Sequence, residues 1–265
     1  TVYVAAYQSG NQTTVINETT VNGNMPGPNN NITGDTRPDT GAMVKFDGTN
    51  WLDADGTNWS SFVNFNLPDH DVFSINANTL AANSVVEYDH VGTILFNMAV
   101  NPVTGMVYVT NTELPNHIIF EGPGNHGGST VQGHLSESRI TVLNPANGNV
   151  DPQHLNQHID YDNLHTDPGA DHNAINAQKN HSLATPLQPV VSSDGSKLYV
   201  AAFGSAKIGG FDTPDIEAAS FEANFDPTAE SANYIATGGG PAGMVLDETN
   251  NRLYVLTRFA NQVEV

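Results

Sequence analysis

Two sets of side chains in this chain have types and spacings that suit metal chemistry. The first is Asp47, Asp53, Asp55 and Asn58, inside KFDGTNWLDADGTNWSSF (residues 45–62). Hard oxygen donors this close in sequence suit Ca²⁺. A helix-loop-helix calcium loop needs oxygen side chains at its first, third and fifth positions, then Gly, and Glu at its end. Counted from Asp53, the residues at the fifth position, the Gly position and the end are Thr57, Asn58 and Asn64, so that loop is excluded. The competing reading is two tandem Asp-Gly turns, DGTNW written twice, with Trp51 and Trp59 packing the segment down.

The second set is His154 and His158, in a histidine-rich stretch that also holds His165, His172 and His181. Asp151-Pro152 predicts the start of a short helix, which would put His154 and His158 one turn apart on one face. That geometry chelates Zn²⁺ or Cu²⁺. HLNQH lacks the Glu of the HExxH hydrolases, so a general base is missing. Polar histidines on an exposed loop are the alternative. A third group, Glu113, His117, Glu121, His126, His134 and Glu137, surrounds the Gly-rich EGPGNHGGS. It has neither the Lys nor the spacing of a phosphate loop, and a plain connecting loop competes with it. GGGPAG (238–243) satisfies G-x-G-x-x-G, but a hairpin-like sequence follows where a dinucleotide site needs a helix. There is no G-x-S-x-G elbow. With Cys at 0 there is no disulfide, thiolate site or covalently attached c-type haem.

The elements that must position these residues are short strands. Gly 24 and Pro 15 in 265 residues leave little room for long helices, and 38% hydrophobic content is enough for a core. Three stretches share one pattern: NMAVNPVTGMVYVTN (97–111), QPVVSSDGSKLYVAA (188–202) and AGMVLDETNNRLYVLT (242–257). Each is an apolar strand, an Asx/Gly turn and a strand around (V/L)-Tyr-Val, which is an antiparallel hairpin. The opening VYVAAY matches the second strand alone. Four-stranded repeats of roughly 40–50 residues with this punctuation point to a β-propeller.

VYVTN (107–111) is the signature of YVTN-type bacterial β-propeller repeats, and LYVAAFGSAKIGGFDT is a close variant. Best over residues 90–145 and 182–265, the chain resembles a secreted or periplasmic bacterial group whose propellers often accompany c-type cytochrome modules. The resemblance implies an all-β propeller of four-stranded blades in an extracellular or periplasmic protein. The expected units are a partial blade 1–80 with insertion 18–68, a blade 84–145 with insertion 112–137, a blade 155–213 and a truncated blade 232–265. The count predicts an incomplete propeller, so the partner is another protein or the remainder of a longer chain. The YVTN-like strands are expected third from the axis. That puts insertions 18–68 and 112–137 on one face and segments 146–181 and 214–232, between blades, on the other. Loops this long are usually functional or disordered.

Lys+Arg 8 against Asp+Glu 28 gives a formal charge of −20, which disfavours nucleic acid and anionic membrane surfaces. No stretch approaches the roughly 20 apolar residues of a membrane span. The leading expectation is an extracytoplasmic binding or scaffold module, possessing calcium if any ion and serving a cytochrome-associated redox assembly. The alternative is a metal-dependent propeller enzyme of lactonase or dehydrogenase type, with Asn97 facing the channel.

Overall fold

A computed structural model describes residues 1–27, 29–30, 35–81, 84–117, 134–159 and 179–265. The chain starts with β1 (Val2–Ala5) and leaves for a long insertion. The insertion holds β2 (Thr13–Ile16), the one-turn helix α1 (Glu18–Val21), β3 (Ala42–Phe46) and β4 (Trp51–Leu52). The chain returns as β5 (Val72–Ile75) and β6 (Val86–Tyr88), which pair with β1 in the order β1-β5-β6. The second sheet is β7 (Ile94–Val100), β8 (Val107–Glu113), β9 (Glu137–Asn144) and β10 (Asn149–His154) in sequential order. The third is β11 (Pro186–Val191), β12 (Lys197–Ala202), β13 (Lys207–Asp212) and β14 (Ile235–Ala236). The fourth is β15 (Pro241–Asp247), β16 (Arg252–Thr257) and β17 (Gln262–Glu264). All named pairings are antiparallel.

The all-β expectation holds, and the hairpins fall where the Asx/Gly turns lie. Asn101 Oδ1 accepts from Val103 N (2.9 Å) and Thr104 N (3.2 Å), while Gly105 supplies the positive φ (75°) that closes the β7–β8 turn. Each first strand also carries a pairing irregularity against its second strand: Leu95/Asn97 in β7, Pro186/Pro189 in β11 and Pro241/Gly243 in β15. The internal repeat is therefore structural down to its bulges.

The sheets form a row, and side-chain alternation decides which neighbour each residue meets. In β8, Val107 and Val109 join Val72, Tyr88 and Leu95 between the first and second sheets. Tyr108, pointing the other way, joins Leu198, Val200 and Phe211 between the second and third. In β12, Ala201 turns from that core to meet Met244 and Val255 of the fourth sheet. The YVTN strand is thus buried on both faces, and its polar residues bridge. Thr110 Oγ1 donates to Leu187 O (2.5 Å) of β11, and Asn111 Nδ2 donates to Thr141 Oγ1 (2.8 Å) of β9. The outward faces of the row stay open: Val2 and Val4 on β1, and Val245, Leu256 and Val263 on the fourth sheet, are exposed.

Strand order corrects three expectations. VYVTN lies on the second strand of its sheet, not the third. Its insertion runs between β8 and β9, at the same place in the second sheet as the β1–β5 insertion occupies in the first. Residues 149–154 form the fourth strand of the second sheet rather than part of a connection. The β10–β11 connection therefore emerges at the same end as the two insertions, not the opposite one. Residues 213–234 lie inside the third sheet, between β13 and β14. They form α2 (Thr213–Ile216), α3 (Phe221–Asn224) and α4 (Pro227–Glu230), and place Ile216 and Phe221 in the core between the second and third sheets. No helix among the described residues is long and apolar enough to cross a membrane.

Candidate functional site

At the end of the sheets where the insertions emerge, strand termini bring charge together. β8 ends on Glu113, β9 begins on Glu137 and β10 ends on His154. Lys45 comes in from β3 of the first insertion. Lys45 Nζ donates to Glu113 Oε1 (2.7 Å), and Thr93 Oγ1 donates to Oε2 (3.0 Å). Glu137 accepts from Arg139 Nε (2.8 Å) and Nη2, and pairs with His134 Nε2 (2.8 Å). Burial pushes the Glu137 carboxyl up, but the His134 bond and the Arg139 charge outweigh it and hold the group at about 2. His154 N donates to Glu222 Oε1 (2.8 Å), and burial pushes its imidazole down. The His117 imidazole is also lowered, first by burial and then by Lys45.

Beside these pairs, a cleft of about 190 Å³ opens between the first and second sheets, lined by Asn11, Lys45, Asp69, Asp71, Glu113 and Arg139 among others. Asp69 and Asp71 stand just before β5 and are 7% and 0% exposed. One oxygen of each is fixed by the chain ahead of β7. Asp71 Oδ2 accepts from Val91 N (2.6 Å) and Gly92 N (3.3 Å). Asp69 Oδ2 accepts from His90 N (3.2 Å) and lies 2.8 Å from His90 Nδ1. The other oxygen of each, Oδ1, has no hydrogen-bond partner. Burial raises both carboxyls, Asp71 to about 6. Gly92 makes room here: a Cβ would come 2.3 Å from Asn111 Oδ1 and 3.0 Å from its Cβ, so a side chain at this position would displace Asn111.

The residues that the sequence singles out are placed as follows. Asp47 Oδ1 caps its own turn, accepting from Thr49 N (2.8 Å) and Asn50 N (2.7 Å). Asp53 is 4% exposed; Oδ1 accepts from Asp55 N (3.0 Å) and Thr57 N (2.9 Å), and Oδ2 from Trp59 Nε1 (2.8 Å). Asp55 Oδ2 takes Gly27 N (3.0 Å), and Asn58 Oδ1 takes Ser60 N (2.9 Å). Each side chain of this set thus holds a backbone turn or an indole. Trp51 and Trp59 sit in a separate small core with Ile16, Val21, Ala42 and Val44. The helix expected at Asp151-Pro152 is strand β10. His154 ends that strand, and His158 lies beyond it with Nε2 3.2 Å from Ser182 Oγ and its ring edge-on to His181. Glu121, His126, His165 and His172 lie outside the described residues. Asn97 is exposed on β7, and the 238–243 glycines lead directly into β15 rather than a helix.

The comparisons with known proteins speak to fold. No family model matches the sequence, and no curated protein matches it. Among solved structures, one that resembles it is hydrazine synthase from Kuenenia stuttgartiensis, with a TM-score of 0.51 at 13% identity over 80% of this chain and 56% of that one. The chain thus spans a little over half the length of that protein, and the likeness is one of fold.

Sequence reading missed Asp69, Asp71, His90, Lys45 and Arg139. The available signal was PDHD (68–71), two acids one residue apart ahead of a strand, with HVG (90–92) recurring as a marker before the next hairpin. Chemically, the ion pairs fill the cleft wall with neutralised charge. The facing Asp69 and Asp71 carboxyls cannot both ionise cheaply, so the pair holds a proton or a positive charge.

Proposed function

We propose that this chain is a segment of a β-propeller built of YVTN-type repeats and works outside the cytoplasm as a binding or scaffold module. Three hairpins with equivalent bulges, stacked through their first strands, support the propeller reading. The exposed apolar faces at both ends of the row suit a protein partner or further sheets of the same kind. The observation that carries the binding reading is the cleft. Segments far apart in sequence converge on one end of the sheets, where Lys45, Glu113 and Arg139 line a cleft with Asp69 and Asp71. The resemblance to secreted, cytochrome-associated repeat proteins extends the proposal to service in a redox assembly, and the acidic surface speaks against nucleic acid as partner.

The second reading, a metal-dependent enzyme, draws on one observation: two buried carboxyls with open oxygens beside an imidazole. A thermal-shift screen of small charged ligands on the purified chain and on Glu113→Gln separates the two. The module reading expects a rise in Tm that the variant loses, without turnover. Robust turnover of a lactone or a quinone would overturn it in favour of the enzyme.

A further inference from the structure

We infer that Asp69 and Asp71 bind a single hard divalent cation, Ca²⁺ or Mg²⁺, in the cleft between the first and second sheets; this rests on the reading of that cleft as a binding site. Asp71 is fully buried and Asp69 nearly so, yet Oδ1 of each lacks a partner. Their other oxygens are held by backbone N–H groups of His90, Val91 and Gly92, so the carboxylates are aimed rather than free to turn away. Of the nearby basic groups, Lys45 is held by Glu113 and Arg139 by Glu137, and the His90 imidazole lies against Asp69 Oδ2. Two adjacent buried carboxylates that share one imidazole are costly, and a divalent cation removes that cost.

The donors select the ion. Both open atoms are carboxylate oxygens, which suit Ca²⁺ and Mg²⁺ rather than a soft metal. His90 Nδ1 is already turned to Asp69 Oδ2. A cleft of about 190 Å³ has room for an ion that keeps several waters at roughly 30 Å³ each, as Mg²⁺ does. The net charge of −20 raises the local cation concentration. Protons compete for the same oxygens. The titratable groups facing the pair are His90 and Asp89 from its own sheet edge and Lys45, Glu113 and Arg139 across the cleft. His70 and Glu87 pair with each other at the exposed side.

The test is calorimetric titration of the whole chain with CaCl₂ and, separately, MgCl₂ after chelator treatment. The wild type is expected to show one saturable site, and the tighter ion identifies which of the two it takes. Asp69→Asn and Asp71→Asn should each weaken it at least about tenfold, while Asp47→Asn leaves it unchanged. Wild-type affinity should also fall about tenfold between roughly pH 7.5 and pH 5 as the pair takes up a proton, a readout that needs no variant. Absence of saturable binding of either ion overturns the inference and leaves the module reading standing. Binding that survives both Asn variants but is lost in His70→Ala overturns it too, moving the ion to the exposed trio of His70, Glu87 and Asp89. Turnover that depends on an ion at Asp69 and Asp71 supports the inference while overturning the module reading.

Discussion

Asp53 and Asp71 are both buried aspartates contributed by the segment between β1 and β5, and they have opposite fates. Asp53 spends both oxygens inside its own loop, on two backbone N–H groups and the Trp59 indole. Asp71 spends one oxygen on Val91 and Gly92 and leaves the other facing Asp69. Burial is shared; completion of hydrogen bonding is not. A buried carboxylate whose lone pairs are used holds a turn in place, whereas one aimed by its neighbours and left open is available to a ligand.

The comparison can be broken by substitution, and the largest effect belongs to Asp53. Asp53→Ala strands two backbone donors and an indole in the small core around Trp51 and Trp59, and should destabilise that insertion by about 3 kcal/mol. Both tryptophans of the chain lie in that core, so urea unfolding followed by tryptophan fluorescence reads it directly. Next, Glu137→Gln removes the carboxylate shared by Arg139 and His134 and should cost about 1–2 kcal/mol. Glu137 is held at about 2, so its contribution is full above its ordinary value of 4.5 and is lost as pH falls toward 2. The variant should accordingly flatten the acid limb of stability against pH.

Asp71 has the reverse sign. Its carboxyl is raised to about 6 from 3.8, so the stability it lends is present below 3.8 and lost as pH rises through 6. Asp71→Asn keeps an acceptor for Val91 N and supplies a donor toward Asp69. In chelator at neutral pH the variant should therefore melt slightly above the wild type, while Ca²⁺ or Mg²⁺ ceases to raise its Tm. The smallest effect is Asp47→Ala, an exposed turn whose loss should leave Tm within error of the wild type. A large drop there would blur the distinction between the two regions.

The strands were legible because each hairpin carries its own turn chemistry and a period-two alternation that names both neighbours. Tyr108 and the flanking valines in VYVTN foretell a strand buried on two faces. The strand's rank in its sheet was not legible, because β8 and β9 are separated by an insertion and the fourth strand reads as a Pro-containing connection. Asp151-Pro152 suits a helix start locally, but pairing of β10 with β9 overrides it. The paired acids in DGTNWLDADGTNW look like a metal loop because sequence shows which oxygens are near one another. It does not show that backbone N–H groups and an indole already use them. PDHD is the plainer text, and its open oxygens arise only when His90, Val91 and Gly92, some twenty residues later, fold against it.

Anomalous diffraction from crystals grown with Mn²⁺, standing in for a hard divalent ion, tests the contrast most directly. One strong peak is expected in contact with Asp69 Oδ1 and Asp71 Oδ1, and none within the Asp47–Asn58 loop. A peak on Asp53 and Asp55, or one at His70, Glu87 and Asp89 with nothing at the buried pair, would contradict it.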